Sequence, residues 1–118
     1  MDHRLKKQKA IEKVFADGKT LFMHPVKAAW LMLDHGEAVD VSFRYAVTVP
    51  KRLFRKATDR NLLKRRMRES VRVMVPGGTG QKTMAVVFIY VSREAESFKE
   101  IDRAIRVLMK RLNAKYQP

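Results

Sequence analysis

Cysteine is absent from this chain of 118 residues, and long apolar runs are absent as well. Without a thiol there is no disulfide framework, no thiolate zinc site and no cysteine nucleophile. No apolar stretch reaches the 18 residues that a membrane span requires. The charged first residues also lack the apolar core of a secretory signal. We therefore expect a cytoplasmic protein with no membrane partner.

Acidic residues are few: 12 Asp and Glu stand against 26 Lys and Arg, which gives a formal net charge of +14. Glycine and proline number only five and four, and no repeat or low-complexity tract divides the chain. This length, with 46% apolar residues, suffices for one core. We expect a single domain over residues 1–118 whose partner is a polyanion, with nucleic acid favoured over an anionic membrane surface.

The hydrophobic pattern predicts six elements in the order helix, strand, strand, helix, strand, helix. Helical spacing predicts helices over 4–17 and 57–74. A last helix begins at the capping box formed by Ser97 and Glu100. Apolar or alternating runs predict strands over 26–33, 41–49 and 83–91. The first two strands are seven residues apart, which predicts an antiparallel hairpin. We expect an α+β fold, a sandwich with helices on one face of a small sheet.

Residues 51–72 hold the densest charge, with ten Lys or Arg against two acids, a net charge of +8. A helix turns by about 100° per residue, so it places an apolar arc beside a cationic arc. The apolar arc contains Leu63, Met67, Ser70, Val71 and Met74. The cationic arc, about 140° wide, contains Arg60, Asn61, Lys64, Arg65, Arg68 and Arg72.

Like charges at i and i+4 repel, which costs a free helix a few tenths of a kcal/mol per pair. A polyanion would offset that repulsion. The planar fork of arginine also suits phosphate and base edges, and Asn61 adds a donor and an acceptor. A solvated face normally mixes charges of both signs, and a membrane-surface helix would carry aromatics among its apolar residues. The pattern therefore favours nucleic-acid binding over both alternatives.

The string RNLLKRRMRE at 60–69 resembles the RNR signature of the bacterial ribonuclease P protein subunit. That signature is Arg-Asn, two variable residues, Lys-Arg, two more and then Arg-Glu, and every fixed position matches. The segment YAVTVPKR at 45–52 resembles the family's strand before this helix, and LKKQKAIEKVFADGK at 5–19 is similar to its opening helix. Pro50 stands where the family usually has Ser, and the turn that follows lacks the customary glycine.

This resemblance implies a small α/β sandwich like the second domain of ribosomal protein S5. It implies a subunit of ribonuclease P, the endonuclease that removes the 5′ leader of precursor tRNA. In that holoenzyme the RNA subunit is the catalyst and holds most of the Mg²⁺ ions, so we expect no catalytic residue in the protein and no tightly bound metal. The implied partners are the catalytic RNA and the leader, with no obligate protein partner.

The matching positions assign two groups of site residues. RNA-binding residues are Arg60, Asn61, Lys64, Arg65, Arg68 and Arg72, flanked by Lys51 and Arg52. We expect Arg60 and Arg65 to face solvent in the free protein. A leader cleft is assigned to Phe15, Trp30, Tyr45 and Val47, with core packing as the alternative for the aromatic residues. If Trp30 is displaced by one position, Ala29 lies on the cleft face instead.

Two other functions stay open at this point. A structural RNA-binding protein of ribosomal type would use the same helix without handling a substrate. A self-sufficient nuclease would need its own metal ion, for which Asp34, His35, Glu37 and Asp40 are the candidate ligands. Solvated loop residues explain that group equally well, and we predict no metal site in the protein.

Overall fold

This computed structural model describes residues 2–39, 41–77 and 80–116. The described residues form three helices and four strands. They are α1 (Gln8–Asp17), β1 (Lys19–Met23), β2 (Val26–Val39), β3 (Phe43–Thr48), α2 (Ala57–Arg72), β4 (Gly80–Tyr90) and α3 (Phe98–Lys115). The predicted α+β class is confirmed. The predicted elements are all present, and the short strand β1 is an addition to them.

The four strands form one mixed sheet in the order β1-β2-β4-β3. Strand β1 pairs antiparallel with β2, β2 pairs antiparallel with β4, and β3 pairs parallel with β4. The predicted hairpin between 26–33 and 41–49 is therefore wrong. The apolar strand β4 lies between β2 and β3 because a strand buried on both faces takes an interior position in a sheet. The connection from β3 to β4 then carries α2.

Strand alternation gives the sheet two apolar faces, and both are covered. On the α2/α3 face lie Val26, Ala28, Trp30, Phe43, Tyr45, Val47, Met84, Val86, Phe88 and Tyr90. On the α1 face lie Ala29, Leu31, Leu33, Ala46, Ala85, Val87 and Ile89, which pack with Val14 and Ile11 of α1. The expectation of helices on one face is corrected, because β4 is apolar at both odd and even positions and each side needs a cover.

Residues before α1 form an additional edge of the sheet. The backbone N–H of Leu5 donates to the carbonyl of Tyr45 at 2.8 Å, and the N–H of Tyr45 donates to the carbonyl of His3 at 2.8 Å. This pairing holds 2–5 extended beside β3, so α1 begins at Gln8 and not at residue 4. The N-terminal segment, residues 2–5, thereby blocks one open edge of the sheet.

The last helix begins as the sequence predicts. The Ser97 hydroxyl accepts the backbone N–H of Glu100 at 3.3 Å and caps α3. The apolar stripe of α3 is buried at Ile101, Ala104, Ile105, Leu108 and Leu112, while Phe98 in the first turn is 45% exposed.

Gly18, between α1 and β1, occupies a site with no room for a side chain. A Cβ there would lie 2.3 Å from the carbonyl oxygen of Val14 and 2.6 Å from that of Trp30. Both atoms are backbone, so Gly18→Ala should lower the free energy of unfolding by about 1–3 kcal/mol. Gly77→Ala is the matched control, because no atom of the described residues beyond its chain neighbours lies within 4 Å of its added Cβ. Urea unfolding measures both variants, and equal losses would contradict this packing.

Candidate nucleic-acid interface

Helix α2 is anchored by one side. Leu63, Met67 and Val71 are fully buried, and Ser70 between them donates its hydroxyl to Asp102 Oδ1 of α3 at 2.7 Å. Burial raises the pKa of Asp102, but hydrogen bonds from Arg106 and Ser70 outweigh it and hold that pKa below its ordinary value. The ionised carboxylate therefore fixes the rotation of α2 on α3, and the predicted apolar arc is the side that packs.

The side of α2 next to this buried arc carries the predicted cationic arc. Asn61, Arg65 and Arg68 are exposed, Arg60 and Lys64 are half-buried, and Arg72 pairs with Glu69 at 3.1 Å. Across the described residues, no ion pair involves Arg60, Lys64, Arg65 or Arg68. We call this surface, from Arg60 to Arg72, the cationic face of α2. Most of its charge is not neutralised within the protein.

Arg60 differs from the expectation that it faces solvent. Its Nη1 donates to the carbonyl oxygens of Phe54 and Arg55, both at 2.8 Å. Phe54 in turn packs edge-on against Tyr90, with ring centroids 5.8 Å apart. Arg60 therefore braces the loop between β3 and α2 and remains only partly exposed.

The same loop places Lys51 and Arg52 before the first turn of α2. Both side chains are exposed, and the turn is closed by the Leu53 N–H, which donates to the Pro50 carbonyl at 3.1 Å. Arg66 points elsewhere: its Nη1 donates to the Glu96 carbonyl at 2.7 Å, on the side of α3. The fold thus brings the loop cations to the start of the cationic face and leaves Arg66 out of it.

Tyr45 lies below the last turns of α2. Its ring packs with Phe43 and Phe88, at 6.4 Å between centroids in each case. Burial raises the pKa of its phenol, and the nearby positive charges of Arg68 and Arg72 act in the opposite direction. Tyr45 is therefore a half-buried core residue whose hydroxyl reaches toward the cationic face.

The four residues assigned to a leader cleft do not share one surface. Phe15 is 53% exposed on α1, whereas Trp30 is only 9% exposed and lies on the opposite face of the sheet, together with Tyr45 and Val47. Their grouping into one cleft is corrected, because on β2 the residue that faces α1 is Ala29. The role of each in leader binding stays a prediction.

Trp30 has a particular environment on its own face. The Nζ atoms of Lys19 and Lys115 lie 5.9 Å and 6.0 Å from its ring centroid, within cation–π range. Its buried Nε1 has no hydrogen-bond partner among the described residues. The indole is thus a core side chain under two ammonium groups.

Sequence reasoning missed Phe22, which is 57% exposed on β1. Phe22 pairs with Lys27 of β2, so it lies on the α1 face, on the same side of the sheet as Phe15. The available signal was the short run Thr20-Leu21-Phe22-Met23, which ends close to Pro25.

Two of the candidate metal ligands in 34–40, Asp34 and His35, make other contacts. The Asp34 carboxylate accepts the backbone N–H of Gly36 at 2.9 Å, and His35 Nε2 lies 2.7 Å from Thr83 Oγ1. Asp40 lies outside the described residues. Among those that are described, no group of three or more His, Asp or Glu side chains is placed to hold a metal ion.

A sequence profile of the family described as Ribonuclease P matches residues 1–113. The chain belongs to the ribonuclease P protein family. One curated relative, the ribonuclease P protein component of Porphyromonas gingivalis, is 28% identical over 108 residues, which span 87% of this chain and 77% of the relative. The family predicted from the RNR-like string is confirmed.

Solved structures of ribonuclease P proteins have the same fold. The protein from Thermotoga maritima aligns with a TM-score of 0.69 at 26% identity, over 92% of this chain and 96% of that one. The protein from Staphylococcus aureus aligns with a TM-score of 0.71 at 19% identity, over 95% of this chain and 96% of that one, which is a likeness of fold alone.

Within the described residues, no helix has the length and apolarity to cross a bilayer.

The contacts of Arg60 predict that its substitution lowers both folding stability and RNA binding, whereas substitution of Arg65 lowers RNA binding alone. Arg60→Ala removes two charge-assisted bonds to carbonyls and should lower the free energy of unfolding by about 1 kcal/mol. Arg65→Ala removes only an exposed side chain and should change it by less than about 0.5 kcal/mol. Both should weaken RNA binding by about 1–3 kcal/mol. Thermal unfolding and an RNA-binding titration check this, and an unchanged stability of Arg60→Ala would show that the brace is absent.

Proposed function

We propose that this chain is the protein subunit of ribonuclease P, which binds the catalytic RNA and the 5′ leader of precursor tRNA. Membership of the family implies a role in tRNA processing, as part of a ribonuclease holoenzyme. The observation that carries the finer proposal is the cationic face of α2. It carries four cations of the RNR-like string that have no ion pair among the described residues, namely Arg60, Lys64, Arg65 and Arg68.

Binding to the catalytic RNA follows from the chemistry of that face. Arg65 and Arg68 are exposed and offer planar forks that bond two phosphate oxygens at once. Asn61 offers an amide that both donates and accepts, which suits a base edge or a ribose. Lys51 and Arg52 extend the charge beyond the helix start. Each phosphate that is neutralised releases condensed counterions, and this release favours binding.

The leader would be held on the α1 face. Phe15 and Phe22 are both exposed there, and exposed aromatic rings beside cations bind unpaired bases by stacking. We infer that the catalytic RNA holds most of the Mg²⁺ ions and that no side chain of this chain enters the chemical step. The role of the protein is to bind and position RNA in the cytoplasm.

The experiment that tests the proposal is reconstitution. The protein is added to the cognate catalytic RNA at low Mg²⁺, and leader removal from precursor tRNA is measured with the RNA alone as reference. We expect the protein to restore cleavage. If the protein binds the RNA and cleavage is not restored, the structural RNA-binding alternative is favoured, and cleavage by RNA-free protein would indicate a nuclease.

A matched pair of charge reversals tests the role of the cationic face. Arg65→Glu with Arg68→Glu alters α2, and Lys99→Glu with Lys110→Glu alters exposed positions of α3 by the same net charge. If α2 carries the contact, the first pair weakens binding to the catalytic RNA by well over about tenfold. The second pair should change it far less. Equal losses in the two proteins would indicate attraction by overall charge only.

Salt dependence gives an independent measure of phosphate contacts. Neutralisation of about five phosphates predicts a slope of about −3.5 to −4.5 for the logarithm of the association constant against that of the salt concentration. Filter-binding titrations from low to physiological salt give this slope. A flat response would be incompatible with an interface led by phosphate contacts.

A further inference from the structure

A cavity between the described residues lies away from the cationic face of α2. It has a volume of about 660 Å³ and opens between the N-terminal segment, the start of α1 and the sheet end where β3 begins. Its lining consists of Asp2, Arg4, Leu5, Lys6, Lys7, Ala10, Leu33, His35, Val39, Val41, Arg44 and Thr83. This volume is within the range of ordinary ligand sites, about 300–1,000 Å³.

The floor of this cavity is apolar. Leu5 is 7% exposed, and Leu33, Val39 and Val41 line the cavity as half-buried side chains. Thr83 contributes a hydroxyl whose single hydrogen is donated to the Val41 carbonyl at 2.9 Å. Because that hydrogen is used, the hydroxyl must accept from His35 Nε2–H at 2.7 Å. The imidazole ring is therefore held in one orientation at the edge of an apolar floor.

The rim is cationic. Among the described residues, Asp2 is the single carboxylate in the lining, against Arg4, Lys6, Lys7 and Arg44. Its carboxylate lies 2.8 Å from Lys6 Nζ and 3.3 Å from Arg4 Nε, and these contacts hold its pKa well below the ordinary value.

The remaining rim charges are left for a ligand. The Arg44 guanidinium donates to the backbone carbonyls of Asp2 and Arg4, at 2.9 Å and 3.2 Å, and so keeps its charge without a carboxylate partner. Lys7 is exposed and has no ion pair within the described ranges. The rim therefore carries an excess of positive charge above an apolar floor.

We propose that this cavity seats an unpaired nucleotide of the leader, with the base on the apolar floor beside His35 and the flanking phosphates on Lys7 and Arg44. A simple anion would leave the apolar floor uncovered. An apolar ligand would leave the positive charges of the rim without a partner. A base in a duplex is stacked and paired, so it cannot enter. This inference rests on the proposed function and adds a second contact to it. The cavity and Phe22 lie at different ends of β2. Leu33 lines the cavity, and Phe22 pairs with Lys27. These two residues of β2 are six positions apart, which corresponds to about 20 Å along a strand.

The test uses the full chain and a labelled single-stranded oligouridylate of about ten nucleotides, a length that single-strand binders cover. Lys7→Glu reverses a rim charge just before α1, and its matched control is Lys9→Glu, two residues further along the chain, which does not line the cavity. Ala10→Phe fills the cavity without a change of charge. Circular dichroism and thermal unfolding verify that each variant folds, and an RNA duplex serves as competitor.

We expect Lys7→Glu and Ala10→Phe each to weaken single-strand binding by about five- to tenfold, while Lys9→Glu has less than a twofold effect. Binding to the catalytic RNA should stay unchanged in all three, which separates a failure here from a failure of the proposed function. Retention of full single-strand affinity by Ala10→Phe would overturn the proposal. So would equal competition by duplex RNA, or equal losses in Lys7→Glu and Lys9→Glu.

Discussion

Burial of the apolar arc of α2 is the interaction on which the rest of the molecule depends. Leu63, Met67 and Val71 are fully enclosed, and each such side chain contributes about 1.5–3 kcal/mol. Repulsion along the cationic face amounts to a few tenths of a kcal/mol per pair. The burial therefore dominates, and it keeps α2 folded with its charges outward before any RNA is present. The bond from Ser70 to Asp102 adds direction, because it fixes which arc faces the core.

Charge on this protein is arranged on separate surfaces of a rigid sheet. The cationic face of α2 lies beside β3, and the cavity at the N-terminal segment lies on the α1 face. The N-terminal segment connects them, since it pairs with β3 and also supplies Asp2 and Arg4 to the rim of the cavity. A rigid scaffold between two binding surfaces lets one RNA contact orient another at little additional cost in conformational entropy.

Much of the fold was accessible from local patterns, and the errors have a common cause. The period of two in 41–49 and the apolar run of 83–91 identify β3 and β4, and the capping serine identifies the start of α3. Strand pairing was not accessible, because alternation shows which side chains share a face and does not show the neighbouring strand. The same limit applies to Trp30: a shift of one position moves a side chain to the other face of the sheet, and only the register with β1 and β4 decides it.

The sequence by itself determined the family, the α+β class and the set of cations on α2, because helix periodicity and a ten-residue string are local properties of the chain. The tertiary structure alone decided the position of α1 on the second face, the brace from Arg60 to the preceding loop, and the cavity at the N-terminal segment. Each of these depends on contacts between residues that are distant in sequence or on the orientation of one side chain, and no local pattern encodes such contacts.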